Sequence, residues 1–244
     1  MYKRNQMTIR DLYLENQITA DQGFWRAVPL FAKPGDLISY EDDFFKFNAE
    51  DWTLTLQDLG AIAEVSKHGG AITLTTDTTD EDETIIEGVE DIIDIQAGKK
   101  AWFQCVITET APATGGKAEW AIGLISDATT VVPVADAGAW ATGDHDGVYF
   151  GKIEAGTNVI GRTSDATTQV ETSLVAHVDG SSYTLGFKWD GVSQVEWFVG
   201  DQSYGKSTLS PTSLAPMKLF ALAKTTASEA QVLEIDRITL IAER

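Results

Sequence analysis

The segment SSYTLGFKWDGVSQVEWFVG, residues 181–200, restricts the fold more than any other stretch of the chain. Tyr183, Leu185, Phe187 and Trp189 alternate with Thr184, Gly186 and Lys188, which is the period-two pattern of a strand with one buried face. Asp190-Gly191 interrupts the pattern. Val195, Trp197 and Val199 then share one side while Glu196 and Phe198 take the other, so the stretch predicts an antiparallel hairpin turning between Asp190 and Ser193. GDQSY at 200–204 supplies the next turn.

The same texture recurs along the chain. In DDFFKFNAEDWTLTLQ, from Asp42, Phe45 and Phe47 alternate before a turn at Asn48 to Asp51, after which Trp52, Leu54 and Leu56 fall on one face. Ile62 to Lys67 and Ala71 to Thr75 read as a pair joined through His68-Gly69-Gly70. Gly98 to Lys100 turn the chain into a long central strand, AWFQCVITE, ending near Glu109. Trp120, Ile122 and Leu124 share a face of the next strand, with Trp102, Gln104 and Val106 expected opposite them. GVYFGKIE, TNVIGRT, TQVETSLVA and KLFALAK continue the series, and QVLEIDRITLIAER closes it. The phase of that last strand shifts between Ile235 and Ile238, which predicts a β-bulge near Asp236-Arg237 or burial on both faces.

About twelve to fourteen strands with short turns and no crossover-length helix predict an all-β, two-sheet antiparallel jelly-roll sandwich. A chain of 244 residues suffices for one such core, burying roughly 70 to 75% of the surface its unfolded form exposes. No Pro-rich or Gly/Ser-rich linker divides it.

Residues 1–40 differ from this body, which spans 41–244. They mix isolated apolar residues with charges and hold two of the six prolines, Pro29 and Pro34, which suggests an extended N-terminal arm. Residues 1–35 carry Lys3, Arg4, Arg10, Arg26 and Lys33 against Asp11, Glu15 and Asp21, a net of +2, so the remainder holds −21 of the chain's −19. Such a body repels nucleic acid and anionic lipid. The arm either covers one end of its own sandwich or docks on another subunit, ordering as it binds. MYKRNQMTIRD contains no apolar core of an export signal, and no 18-residue apolar run occurs, so synthesis in the cytoplasm with no membrane partner is expected. The single Cys105, in WFQCVI, reads as a buried inert thiol.

Chemistry is sparse. The run DTTDEDE at 77–83 concentrates five carboxylates but lacks the Gly and terminal Glu of an EF-hand loop, so it reads as a solvated loop. Residues 127–147 form a long irregular connection, of the kind that carries function or contacts. Its Asp144, His145 and Asp146 are adjacent, and three neighbours do not readily aim at one ion. Glu234-Ile235-Asp236 begins a one-face carboxylate row of the glycoside-hydrolase type, but Ile238 and Thr239 occupy the positions of its third member. His68, His145 and His177 have no ligand spacing, and His177 reads as a strand-end residue. No nucleophile elbow or phosphate loop is present, so no enzyme activity, metal or cofactor is expected. A sugar-binding module remains open, with Trp25, Trp140 or Trp189 as candidate platforms and core packing as the simpler role for each.

In order and texture, DDFFKFNAEDWTLT, GKKAWFQCVITE, AEWAIGLIS, DGVYFGKIE, YTLGFKWDG with VEWFVGD, and VLEIDRITLIAER resemble a family of tailed-bacteriophage virion proteins with concanavalin A-like or laminin-G-like jelly rolls. The resemblance spans roughly residues 42–244 and does not cover the arm. It implies a capsid decoration (cement) protein on the outer capsid surface, a homotrimer that contacts the major capsid protein and bridges capsomers by avidity. Lys3, Arg4, Arg10, Phe24, Trp25, Arg26 and Phe31 are the arm residues expected to make the capsid or inter-subunit contacts. The alternative within the same fold is a tail- or fibre-associated module that binds host glycan.

Overall fold

A computed structural model describes residue 24 and residues 37–79, 81–111, 119–128, 133–135, 138–141, 145–154, 156–212, 214–225 and 229–244. Two large antiparallel sheets face one another across a shared core, as the alternation predicts. The first runs β15 (Gln202–Thr208), β14 (Gln194–Val199), β13 (Ser182–Trp189), β6 (Ala101–Ala111), β17 (Val232–Glu243), β4 (Ile72–Thr75), β3 (Ala61–Glu64), with β1 (Leu37–Asp42) also pairing β17. The second runs β12 (Gln169–Ala176), β11 (Asn158–Asp165), β10 (Asp146–Lys152), β7 (Glu119–Ile125), β16 (Lys218–Lys224), β5 (Glu83–Gly88), β2 (Trp52–Leu56). Two short strands, β8 (Val134–Ala135) and β9 (Ala139–Trp140), form a ribbon within the β7–β10 connection. Among the described residues no helix is long and apolar enough to cross a membrane.

The hairpin at 182–199 forms as expected. Leu185, Phe187, Trp189, Val195 and Trp197 are buried in the core, where Phe187 stacks on Phe103 at 5.1 Å between ring centroids and meets Trp197 edge to face. The indole of Trp197 lies where a side chain at position 161 would stand. A Cβ on Gly161 would come within 2.3 Å of that ring, so the glycine is required by packing.

The bulge in β17 also forms. The ladder with β6 slips between Ile235 and Arg237, and the other edge of β17 changes partner at the same place, from β4 at 232–235 to β1 at 238–243. One extra residue there keeps Ile235 and Ile238 both on the core face.

Three expectations change. β6 presents Phe103, Cys105 and Ile107 to the core opposite Trp120, Ile122 and Leu124, so Trp102, Gln104 and Val106 face outward. Both faces of this central strand are covered, so apolar content alone does not fix its phase. In the first segment Phe44, with φ of 49°, is buried against Trp52, while Phe45 is 74% exposed; no strand runs through them. Finally, the acidic run is partly structural. Asp82 is fully buried with Oδ2 accepting the Asp77 N–H, and Glu83 opens β5 opposite Lys224.

Of the arm, Phe24 and residues 37–40 are described. Phe24 is buried on the outer face of the first sheet with Trp102, Phe198, Ile241 and Leu37. Lys3, Arg4, Arg10, Trp25, Arg26 and Phe31 lie outside the described residues. β1 begins at Leu37 and runs across the expected arm boundary at residue 40.

Candidate functional site

Strand register sets one row of side chains across the outer face of the first sheet. Lys206 stands opposite Glu196, Glu196 opposite Lys188, Lys188 opposite Trp102, and Trp102 opposite Ile241. Their neighbours Trp197, Phe187 and Phe103 point into the core, so alternation turns this row away from it. At its end the 190–194 turn is tightly built. Asp190 Oδ1 accepts the N–H groups of Val192, Ser193 and Gln194 at 2.7, 2.9 and 3.0 Å. Partial burial pushes the Asp190 carboxyl up, but the N–H groups of Gln194, Val192 and Ser193, with Lys206 nearby, outweigh it and hold the group below its ordinary value. Gly191, at φ of 79°, accepts the Gly98 N–H at 2.6 Å and so docks this turn against the turn that precedes Lys100.

Between the two turns and the row lies an open cleft of about 150 Å³. Lys100, Lys188, Lys206, Gln194, Glu196 and Asp190 contribute polar groups, and Trp102 and Trp189 stand beneath it, each 1% exposed. Lys100 and Lys206 are exposed and make no ion pair within 4.0 Å among the described residues. The indole Nε1 of Trp102 is buried with no hydrogen-bond partner among the described residues. Next to the cleft, Phe24 seats on Gly186. A Cβ there would meet its ring at 2.8 Å. Phe24 also meets Phe198 edge to face at 5.3 Å, and the Lys188 ammonium stands 5.3 Å from the Phe24 ring and 4.4 Å from the Phe198 ring.

The outer face of the second sheet is covered in part by the described segments of the β7–β10 connection, 126–128, 133–135 and 138–141. There Trp140, Tyr149, Phe220, Leu222 and Val134 make a second small core. Arg162 spans this core, bonding Glu171 at 2.6 Å, the Ala141 carbonyl at 3.0 Å and Gln169, with its guanidinium 5.2 Å from the Trp140 ring centroid. Further along, Lys224 Nζ stands 3.2 Å from Glu81 and 3.9 Å from Glu83. Glu119, beside it, accepts the Glu154 N–H at 2.9 Å. Burial raises the Glu119 carboxyl to about 7, against the opposing pull of the Glu154 N–H and Lys224. Residues 133–135 and 138–141 of the connection thus cover a charged and aromatic layer.

The residues singled out from sequence take mostly structural places. Lys67, in the turn between β3 and β4, bridges Glu234 at 2.6 Å and Asp236 at 2.8 Å, so the carboxylate pair considered for hydrolysis is engaged in an ion-pair bridge. His145 Nε2 lies 3.0 Å from the Tyr149 hydroxyl, while Asp146 Oδ2 accepts the Ala215 N–H at 2.7 Å, so the two serve different contacts; Asp144 lies outside the described residues. Cys105 is buried, and burial pushes its thiol up, which makes it inert. Trp140 and Trp189 are buried, as are all the described tryptophans; Trp25 is outside the described residues. The cleft lysines escaped sequence reasoning, because Lys100, Lys188 and Lys206 stand on three segments joined only by the sheet.

No protein-family model matches the chain, and no curated protein matches it. Solved structures do. Peanut lectin superimposes with a TM-score of 0.61 at 14% identity, over 84% of this chain and 97% of the lectin. A carbohydrate esterase from the Shiga toxin-encoding bacteriophage phi24B gives 0.54 at 19% identity, over 85% and 98%. An endo-1,3-beta-glucanase from Streptomyces sioyaensis gives 0.57 at 12% identity, over 89% and 99%. The expectation that the chain is no enzyme is therefore corrected: this fold carries an esterase and a glucanase. A sandwich assembles its sites from separate strands, so a missing local motif does not exclude catalysis. At these identities the likeness is one of fold, and the fold is that of the lectin-like jelly rolls.

Proposed function

We propose that the chain is a carbohydrate-binding module of the lectin-like jelly-roll type. The cleft beside Trp102 carries this reading. A sugar ring offers hydroxyls that both donate and accept, together with apolar C–H faces. The cleft offers both, with ammonium donors on Lys100, Lys188 and Lys206, carboxylate acceptors on Asp190 and Glu196, an amide on Gln194 that does either, and the aliphatic stems of the lysines for the C–H faces. At about 150 Å³ it is smaller than the ~300 Å³ of pockets that enclose drug-sized ligands, which suits one ring or a chain end. The fold shared with a lectin, a carbohydrate esterase and a glucanase supports the same reading.

The test is a glycan array probed with the intact chain and with Lys100→Ala/Lys206→Ala, whose two exposed positions leave the core untouched. Binding to a defined set of glycans, weakened at least about tenfold in the variant (~1.4 kcal/mol), is expected. Equal binding by both proteins would move the site elsewhere, and an empty array would remove the reading.

A second reading places the module on a virion, decorating the outer capsid and contacting the major capsid protein. Phe24 favours it, since this anchor ties the arm to the outer face of one sheet and so gives the basic segment a defined point of departure. Saturable co-sedimentation with capsids that lack the protein, lost when residues 1–23 are deleted, is the expected result; binding that survives the deletion would rule out Lys3, Arg4 and Arg10 as the contacts.

A further inference from the structure

We propose that Glu109, His177 and Asp179 form a site for a divalent transition-metal ion, independent of the carbohydrate cleft. Glu109 lies near the end of β6, and the other two lie in the turn that follows β12. That turn is built before any ion arrives. The His177 N–H donates to the Thr157 carbonyl at 3.0 Å, the Val178 N–H to the Tyr183 hydroxyl at 2.9 Å, and the Glu109 N–H to the Ser181 carbonyl at 3.2 Å. The backbone therefore clamps the turn to β6, and each of the three side chains offers one ligand atom, all within 4.8 Å of one another.

The imidazole stands between the two carboxylates, with Nε2 2.5 Å from Glu109 Oε2 and Nδ1 3.5 Å from Asp179 Oδ1. Glu109 and His177 are almost wholly buried, while the Asp179 side chain is 37% exposed and leaves a way in from solvent. A second observation points to a missing partner. Glu109 Oε1 is buried with no hydrogen-bond partner among the described residues. A carboxylate oxygen left unsatisfied in the interior is costly, and a cation shared with His177 and Asp179 would relieve it.

One imidazole with two carboxylates is a nitrogen and oxygen set suited to Zn²⁺ or Mn²⁺, whereas Ca²⁺ takes about six to eight oxygens. Three protein ligands leave a position for water. Lys152 opposes the ion. Its buried ammonium donates to the Ile153 carbonyl at 2.8 Å and lies in the field of Glu109, Glu119, Asp179 and Glu154. A metal therefore binds against one positive charge, and removing that charge should tighten it. A plain histidine–carboxylate pair has no such dependence.

The experiment is calorimetric titration of the untagged, EDTA-stripped full chain with ZnCl₂, MnCl₂ and CaCl₂. One Zn²⁺ or Mn²⁺ per chain is expected, bound more tightly than Ca²⁺ and raising the thermal midpoint. Asp179→Asn, a half-exposed change checked for folding by circular dichroism, should weaken binding by at least about tenfold, the loss that altered outer partners alone produce. Lys152→Met should strengthen it. No saturable binding, undiminished binding in Asp179→Asn, or tighter binding of Ca²⁺ would each overturn the proposal.

Discussion

Glu119 shows what burial does to one ionisable group. It sits in the covered layer of the second sheet with one oxygen bonded to the Glu154 N–H and the other buried without a partner among the described residues. Its pKa rises from 4.5 to about 7, chiefly through desolvation. The native state therefore keeps a proton that the unfolded chain releases, and stability falls as pH rises between those two values. Glu119→Gln should abolish that fall. Thermal melts from pH 4 to 8 should show variant and parent alike at the acid end and the variant more stable by up to about 3 kcal/mol at the alkaline end. A second residue pair is equally specific. Phe24→Ala removes a buried ring from the Gly186 seat and should cost about 3 kcal/mol in urea denaturation. Gly186→Ala puts a Cβ within 2.8 Å of that ring. Since both changes empty the same seat, the double variant should cost little more than Phe24→Ala alone.

At the scale of the element, β17 makes the sharpest claim. Its extra residue at Asp236 lets Leu233 and Ile235 before the bulge, and Ile238, Leu240 and Ala242 after it, all face the core. Deleting Asp236 should restore an unbroken alternation and be tolerated, apart from losing one partner of Lys67, with a loss of about 1 kcal/mol. Deleting Thr239 sends Leu240 or Ile238 to the wrong face and should prevent folding, as one-residue slips do. Denaturation of the two deletion variants side by side decides it. The break of phase was legible in the sequence because a broken alternation is a local pattern, and the ladder with β6 decided for a bulge over burial on both faces. The phase of β6 was not legible, because Trp102 is covered on the outer face by Phe24 and Ile241, and those partners lie 78 or more residues away in sequence.

For the whole molecule, the net charge of −19 sets a background of self-repulsion. The fold answers it by spending its scarce cations on carboxylate groups: Lys67 between Glu234 and Asp236, Lys224 beside Glu81 and Glu83, Lys218 at 3.3 Å from Glu87, and Arg162 on Glu171. Raising ionic strength from about 0.01 M to about 0.5 M shortens the screening length from roughly 30 Å to a few ångströms. The melting temperature should therefore rise with salt, as the long-range repulsion of the net charge is screened more than these short-range, partly buried pairs are. A fall would mean that exposed ion pairs dominate.

The sequence by itself determined the class of fold, the 182–199 hairpin, the break of phase in the last strand and the inertness of Cys105, because alternation and burial of large apolar residues are written in neighbouring positions. Only the tertiary structure decided which groups meet. Lys67 reaches Glu234, His177 reaches Glu109, Phe24 finds Gly186, and three lysines from separate strands and turns share one cleft. In an antiparallel sandwich such partners are joined by strand order and register across the sheets, so the contacts that make a site are non-local, and no spacing along the chain encodes them.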